Sequence, residues 1–509
     1  MRLVRLLTLP ALLAVAVPVW GAGFNPPDVS VQLFHWPWQA VAQECRSTLG
    51  PRGFGAVQVS PPQAARVTGN WWDMYQPVNF ASLNSRMGDA EAFAAMIASC
   101  HAAGVRVYVD VVSNHMAAGS GTASRSSDGS TWDAATLNYP QFSAADFHPP
   151  CDIHDGDYGW PGDRRSVTEC RLLGLPDLAS ENAHVRQVLQ AYLERLLQLG
   201  VDGFRLDAAK HQAPAALRAL FDALRQNWPT TRAGEALWVA QEVIPDGNVN
   251  RRDYLPLGRL NEFKFSYALR DTFRGNNGLA LDSLPGVMGV PGAWGGGWGF
   301  LDSDEAVVFV NNWDTERSND SLNASNETGA GNDVGNSRRY QLAVIFMLAW
   351  PYGQPQIQSG FRFSQRDADA PAQPPLDGNG QPLAGGSWDM IHRWNEIGAM
   401  IAFRHATRGL GVDHWQTGSR QQIAFGRVGG GFVALNNDSQ RWRTRLQTGL
   451  APGAYCNVVN DSWPAGACVG PALVVDAQGM LDVDLPPNDG LALPALALYP
   501  ARQAARGHR

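Results

Sequence analysis

Eight short apolar runs alternate with stretches of helical spacing along most of the chain, and this alternation restricts the architecture more than any other feature. The runs are Val29–Trp36, Phe54–Ser60, Val105–Val112, Gly203–Asp207, Trp238–Val243, Leu260–Phe265, Ala306–Asn311 and Ile345–Trp350. Each has the length and character of a strand. Between them, patterns such as Ala90–Ala103 and Ala183–Leu199 carry apolar residues at helical spacing. Eight such units predict an α/β protein built on a parallel (β/α)8 TIM barrel. A doubly wound sheet is the weaker alternative, because no GxGxxG opens a helix after a strand.

One connection is too long for a bare barrel. From Met116 to Leu178 the chain is rich in Gly, Ser, Asp, His and Pro and holds two cysteines. Loops of such length are uncommon and usually functional, so residues 116–178 read as a small domain inserted after the third strand. Residues 366–387 form a Pro/Gly-rich loop. After residue 412 the pattern changes to short alternating runs, Gln422–Gly426, Gly431–Asn436 and Leu481–Leu485, divided by Gly, Pro, Asn and Asp. That pattern predicts a C-terminal antiparallel β-sandwich over 413–501, with the barrel over 24–412.

The chain has 509 residues, 45 % of them hydrophobic and 17 % charged, which suits a large globular core. A net charge of −7 offers no electrostatic case for nucleic acid. Met1-Arg-Leu-Val-Arg5, the apolar run Leu6–Trp20 and Gly21-Ala22-Gly23 describe a secretory signal peptide over 1–23. That run is too short for a typical membrane span, and no later segment supplies one. The expected location is therefore outside the cell, medium and periplasm being indistinguishable from an export signal. Six cysteines in an exported chain favour disulfides, with fifteen pairings open. Local spacing suggests Cys151–Cys170 and Cys456–Cys468, leaving Cys45–Cys100.

The run Gly200–His211 carries Arg205, Asp207, Lys210 and His211 in what otherwise reads as a buried strand. Buried charge is costly unless it is paired or used. Arg205 and Asp207 lie two apart and so share a face. Barrel enzymes do their chemistry at the C-terminal strand ends, and acids stand there repeatedly: Asp110 in Asp110–His115, Asp207, Glu242, and Asp314 after the seventh strand. A lone Asp at a strand end is as readily a structural cap. Several at successive rims, beside Arg205 and His115, are not explained as caps. Paired carboxylates are the machinery of glycoside cleavage. Arg205 is expected to hold Asp207 ionised, and the apolar company of Glu242 (Val239, Ala240, Val243) is expected to hold Glu242 protonated. Asp314 would hold sugar hydroxyls and developing positive charge.

Four segments, Asp110–His115, Gly203–His211, Glu242-Val243 and Phe309–Asp314, resemble the four ordered motifs of the α-amylase family, glycoside hydrolase family thirteen. The likeness runs from about Asn25 to Pro500 and is closest to the animal and actinobacterial α-amylases. Asn70–Pro77, Ser82–Gly88, Trp294–Phe300 and His392–Asn395 match in order, and the cysteines align with three disulfides of that group, Cys45–Cys100, Cys151–Cys170 and Cys456–Cys468. The resemblance implies Asp207 as nucleophile, Glu242 as general acid and base, Asp314 as transition-state stabiliser and Arg205 as the residue orienting the nucleophile. It implies substrate contacts for His115, Tyr75, Trp71, Trp72, His211 and, on the leaving-group side, Lys210. It also implies calcium between the barrel and the inserted segment, with side chains of Asn114 and Asp177 and carbonyls of Thr168 and His211 as ligands. The bland alternative for Asp177 is a cap on a helix starting near Ser180.

The sequence departs from the pattern twice. Animal members hold chloride with residues like Arg205, Asn312 and a basic residue after the eighth strand; here that position is Gln356, so no chloride requirement is expected. Trp313 stands where histidine usually precedes the last aspartate. Indole has one donor and no acceptor, so Trp313 is expected to stack or reshape the cleft. The function expected is a secreted, monomeric, calcium-containing α-amylase, cleaving internal α-1,4 bonds of starch and related oligosaccharides with retention. Its rivals are a maltooligosaccharide-forming hydrolase or transglycosylase, and a non-catalytic glucan-binding protein. The last is disfavoured because such descendants generally lose a carboxylate, and all three are present here.

Overall fold

The computed structural model describes residues 24–120, 125–324, 337–460 and 468–500. The signal peptide expected over 1–23 lies outside the described residues, as does the 325–336 part of the loop after Asp314. Eight parallel strands close a barrel: β1 Ser30–Leu33, β2 Ala56–Val59, β3 Arg106–Val112, β4 Gly203–Asp207, β5 Trp238–Gln241, β6 Arg259–Asn261, β7 Ala306–Val308 and β8 Gln354–Ser359. Each strand pairs with the next in sequence, and β8 pairs back to β1.

Register decides which residues face the lumen. Val31 lies opposite Val57, Val57 opposite Val107, and Val109 opposite Phe204. Phe204 meets Phe221 of the helix Pro214–Asn227 edge-on at 6.3 Å, so this row faces the surrounding helices. The alternate row, Gln32, Gln58 and Tyr108 in register, continuing through Asp110 and Arg205, faces inward. Tyr108 stacks on Trp238 at 3.9 Å across the lumen side of Gly203, where any Cβ would come within 2.8 Å of both residues. Helices start where the sequence supplies caps. Asp89 accepts from Ala92 N ahead of Ala90–Ala102, and Asn182 accepts from His184 N ahead of Ala183–Leu199. Gly200, at φ 108, ends the second helix.

Two strand expectations are corrected. Ile345–Trp350 is helical: it belongs to the helix Arg339–Ala349 and its C-cap, a segment buried on nearly every side. An unbroken apolar run fits a buried helix as well as a strand. The eighth strand is Gln354–Ser359 instead, and it reads as polar because Gln356 and Gln358 are its lumen residues. Gln356 therefore stands within the strand, not after it, donating from Nε2 to Gln58 Oε1 at 2.8 Å. The sixth strand is also shorter than Leu260–Phe265, because Glu262 caps a new helix, Phe263–Arg274, by accepting from Lys264 N.

The three expected disulfides are all present. Beyond the barrel, two four-stranded antiparallel sheets face each other. One orders Asp413–Thr417, Gln422–Gly426, Phe432–Asn436 and Ala495–Leu498; the other orders Trp442–Gln447, Met480–Leu485, Leu473–Val475 and Gly453–Tyr455. Phe432, Trp442, Leu446, Tyr455 and Leu498 fill the space between them. The motif His392–Asn395 has a structural use: His392 Nε2 and Arg393 Nε both reach Glu44 Oε1 at 2.8 Å, tying the end of the barrel to its first helix.

Candidate active site

The β3–β4 register sets Asp110 opposite Arg205, and Val112 opposite Asp207. The β4–β5 register sets Leu206 opposite Gln241, and Glu242 N donates to Leu206 O at 2.9 Å, so Glu242 emerges beside Asp207 at the adjacent strand end. After Asp207 the chain turns sharply at Ala208, whose φ of 48 is left-handed, a conformation that costs a residue with a Cβ about 1–2 kcal/mol. The turn aims Ala208 N at Glu242 Oε2, 2.8 Å away.

One guanidinium organises the acids. Arg205 Nη1 donates to Asp110 Oδ1 at 2.8 Å and to Asp207 Oδ1 at 2.7 Å, and Nη2 lies 3.1 Å from Glu242 Oε2. Tyr75 Oη donates to the other Asp110 oxygen at 2.8 Å. Asp110 was legible as an acid near the end of the third strand; its use as the buried counter-ion of Arg205 was not. Burial pulls the Arg205 pKa down, but Asp110, Glu242 and Asp207 together hold it well above its ordinary value, so the cation is permanent.

Arg205 does lower the Asp207 pKa, as expected, but it does not bring the carboxyl down to an ordinary ionised acid: the net shift is upward. Burial raises Asp207, and Glu242 and Asp110 push the same way; Arg205 only opposes them. A single cation does not offset the desolvation and mutual repulsion of a cluster of acids, which leaves the Asp207 carboxyl above its ordinary range. Asp314 is raised to about 7 by burial and by Glu242, against Arg205 and Arg317. Burial lowers His115 and His211 to about 4, so both are neutral near pH 7.

A cleft of about 670 Å³ opens over these acids, large enough for an oligomeric ligand. Asp207, Glu242 and Asp314 line it, with His115, Lys210, His211, Trp71, Trp72, Tyr75 and Trp313. Trp313 is buried between Phe34, stacked at 5.2 Å, and Tyr75, at 5.9 Å, with the Arg205 guanidinium 4.9 Å from its ring. Asn312 Oδ1 accepts from Asp314 N and Thr315 N, shaping the loop that presents Asp314. His115 Nε2 meets Tyr75 O at 2.8 Å, and Nδ1 meets Asn114 Nδ2 at 3.3 Å, so a sugar hydroxyl would share one of these bonds. Lys210 Nζ lies 3.3 Å from Asp246 and 4.5 Å over the Tyr158 ring. Tyr158, Asp246, Ile244, Arg366 and Asp367 were not singled out from sequence. Tyr158 ends the short 3-10 turn Asp155–Tyr158 and the others sit in loops, none with a periodic signal, although Asp246 follows Glu242 closely in Glu242-Val-Ile-Pro-Asp246.

No cluster of three or more His, Cys, Asp or Glu side chains is placed to hold a metal among the described residues. The residues expected to bind calcium have a different chemistry, one carboxylate and one amide supplemented by carbonyls. Asn114 Oδ1 and Asp177 Oδ1 are both buried without a hydrogen-bond partner, and the two segments join through the His115–Asp177 bridge and Leu178 N donating to Asn114 O at 2.9 Å. Two orphaned hard oxygens on adjoining segments fit an oxygen-seeking cation. Asp177 Oδ2 meets His148 Nδ1 at 2.6 Å. Asp177 does not cap a helix: the helix nearby starts at Ala183, capped by Asn182. Thr168 closes the short helix Arg164–Glu169, and His211 Nδ1 contacts Val167 O at 3.0 Å, which brings these two positions together.

A closed parallel barrel whose strand ends gather acids around one arginine, beneath an aromatic cleft, is the arrangement of a barrel glycoside hydrolase. Residues 53–254 match the alpha amylase catalytic domain family, and residues 413–495 match the alpha amylase C-terminal all-beta domain. The chain is 36 % identical to the alpha-amylase of Tribolium castaneum over 495 residues, 94 % of both chains. It is 37 % identical to an alpha-amylase-related protein of Drosophila bipectinata over 481 residues, 91 % of both. Among solved structures, wild-type alpha-amylase I of Eisenia fetida superposes with a TM-score of 0.79 at 34 % identity, covering 94 % of this chain and 99 % of that one. A mutant of that enzyme in complex with maltohexaose gives 0.80 at 33 %, with the same coverage. The chain belongs to the α-amylase family and is a glycoside hydrolase of that family.

Proposed function

We propose that the protein is a secreted, endo-acting α-amylase that hydrolyses internal α-1,4 bonds of starch and related glucans with retention. The observation that carries this reading is the attachment of Asp207 and Glu242 to the two arms of one guanidinium, under an aromatic cleft. Carboxyls so coupled stand close, as a retaining pair must; inverting pairs leave room for a water between them.

Asp207 attacks the anomeric carbon while Glu242 gives its proton to the glycosidic oxygen, and the reducing-end fragment leaves. The sugar is then held on Asp207 as an ester. Glu242, now a carboxylate, takes a proton from water, whose oxygen attacks the same carbon and releases Asp207. Two inversions restore the α configuration. Asp314 binds hydroxyls of the reacting sugar and offsets the positive charge that builds on its ring. Arg205 orients Asp207, and Tyr75, Trp71 and Trp72 offer ring faces to the sugars. Asn114, Asp177 and the carbonyls of Thr168 and His211 would hold calcium, which supplies a structural cross-link between barrel and inserted segment and takes no part in bond cleavage. Export is supported by the N-terminal signal pattern and by three disulfides, which persist in oxidising compartments.

The test is reducing-end release from soluble starch by the wild type beside Asp207→Asn, with product anomers read by NMR. Fast viscosity loss and α-anomeric products, absent in the variant, are expected. β-Anomers would refute retention, and slow viscosity loss with steady release of one short product would refute endo action.

A further inference from the structure

Among the described residues one tryptophan is exposed, Trp160, at 83 %. A single exposed apolar residue needs no explanation by itself. The position of this one does. Tyr158, two residues earlier, lines the cleft with its ring under Lys210. Gly159 between them is extended, at φ −85 and ψ −178, and two extended residues span at most about 7 Å. Trp160 therefore lies within about 7 Å of backbone from a residue that lines the cleft, on the inserted segment.

The loop is also held still. Gly247 N donates to Tyr158 O at 3.0 Å, and Asn248 Nδ2 donates to Asp157 O at 2.7 Å. Both partners lie on the loop that follows Glu242. Gly247 runs so close that an added Cβ would sit 3.4 Å from Trp160 N. On the other side Asp157 Oδ2 accepts from His154 N at 2.9 Å and from Ser166 Oγ at 2.7 Å. A large aromatic face is thus kept in water on a backbone braced against the catalytic strand's own loop. Leu173, 90 % exposed and held at a left-handed φ of 53, lines the cleft from the same segment.

We propose that Trp160 is an outer sugar platform: its ring stacks on a glucose unit of a chain that continues past the cleft along the Tyr158 wall, and it sets the preference for long substrates over short ones. The inference rests on the glucan-hydrolase reading above. An indole presents a flat apolar face to the C–H face of a pyranose, and its N–H donates to a hydroxyl at the edge. A chain too short to leave the cleft does not reach it.

The experiment compares wild type, Trp160→Ala and Trp160→Phe on amylose and on maltotetraose. For Trp160→Ala, kcat/KM on amylose is expected to fall about tenfold, ~1.4 kcal/mol, through KM, with kcat within about twofold. Maltotetraose kinetics and the thermal midpoint stay at wild-type values, and Trp160→Phe recovers most of the loss. Unchanged amylose kinetics, or equal losses on both substrates, would overturn the proposal. A wild type active on maltotetraose keeps those outcomes separate from failure of the underlying reading; a wild type inert on both overturns the reading and this inference with it.

Discussion

Tyr75→Phe removes one oxygen from the acid cluster and little else. The ring keeps its contacts with Trp71, at 6.1 Å, and Trp313, at 5.9 Å, and the Tyr75 carbonyl keeps His115. What is lost is the 2.8 Å bond to Asp110 Oδ2, an oxygen of a fully buried carboxylate whose other oxygen is held by Arg205. A hydrogen bond to a charged group is worth about 1.5–3 kcal/mol, and its loss strands the acceptor without water. The effect also has a pH dependence. Burial raises Asp110 above its unfolded value, while Arg205 and Tyr75 restrain the rise. A raised carboxylate favours folding below the unfolded pKa and loses that contribution as pH climbs through the folded one. Without the hydroxyl the folded pKa climbs further, so the variant is little destabilised in acid and increasingly so above the carboxylate range. Urea midpoints followed by tryptophan fluorescence at about pH 5 and about pH 8 read this directly, with the larger shift at the higher pH. In an Asp110→Asn background the second substitution should add less than about 0.5 kcal/mol at either pH. An equal shift at both values, or none, would refute the account of Asp110 as a restrained buried anion.

Glu242→Gln should lower starch hydrolysis on the order of 10³-fold, since the proton transfer proposed for Glu242 would be lost, while calorimetry should show maltohexaose still bound. Removing divalent cations with a chelator should lower the thermal midpoint, and calcium but not magnesium should restore it; occupancy at a hundredfold over Kd corresponds to about 2.7 kcal/mol. Asn114→Ala should abolish that response if Asn114 is a ligand. Replacing Cys45 and Cys100 with alanine opens a loop with a sequence separation of 55, which loop entropy values at roughly 4 kcal/mol, read as a lower denaturation midpoint with the cleft residues untouched.

The sequence alone determined what depends on residue identity and order. Alternating apolar and helical patterns called for a barrel, and seven of its strands were placed within a few residues, because backbone period and side-chain burial are local properties. The acids at the strand ends, the aromatic segment Asn70–Pro77 and the cysteine spacings were visible for the same reason. Only the tertiary structure decided how those residues spend their charge. It made Asp110 the buried partner of Arg205 and turned the Asp207 pKa upward, because desolvation and neighbouring acids from other strands are sums over space and not over sequence. It moved the eighth strand from Ile345–Trp350 to Gln354–Ser359. That strand escapes a hydrophobicity reading because its inward row is glutamine, and a glutamine amide can be buried once the lumen supplies a partner such as Gln58 for Gln356. Such a partner comes from a strand nearly three hundred residues away, at a separation of 298, so the stretch looks like loop until the barrel closes around it.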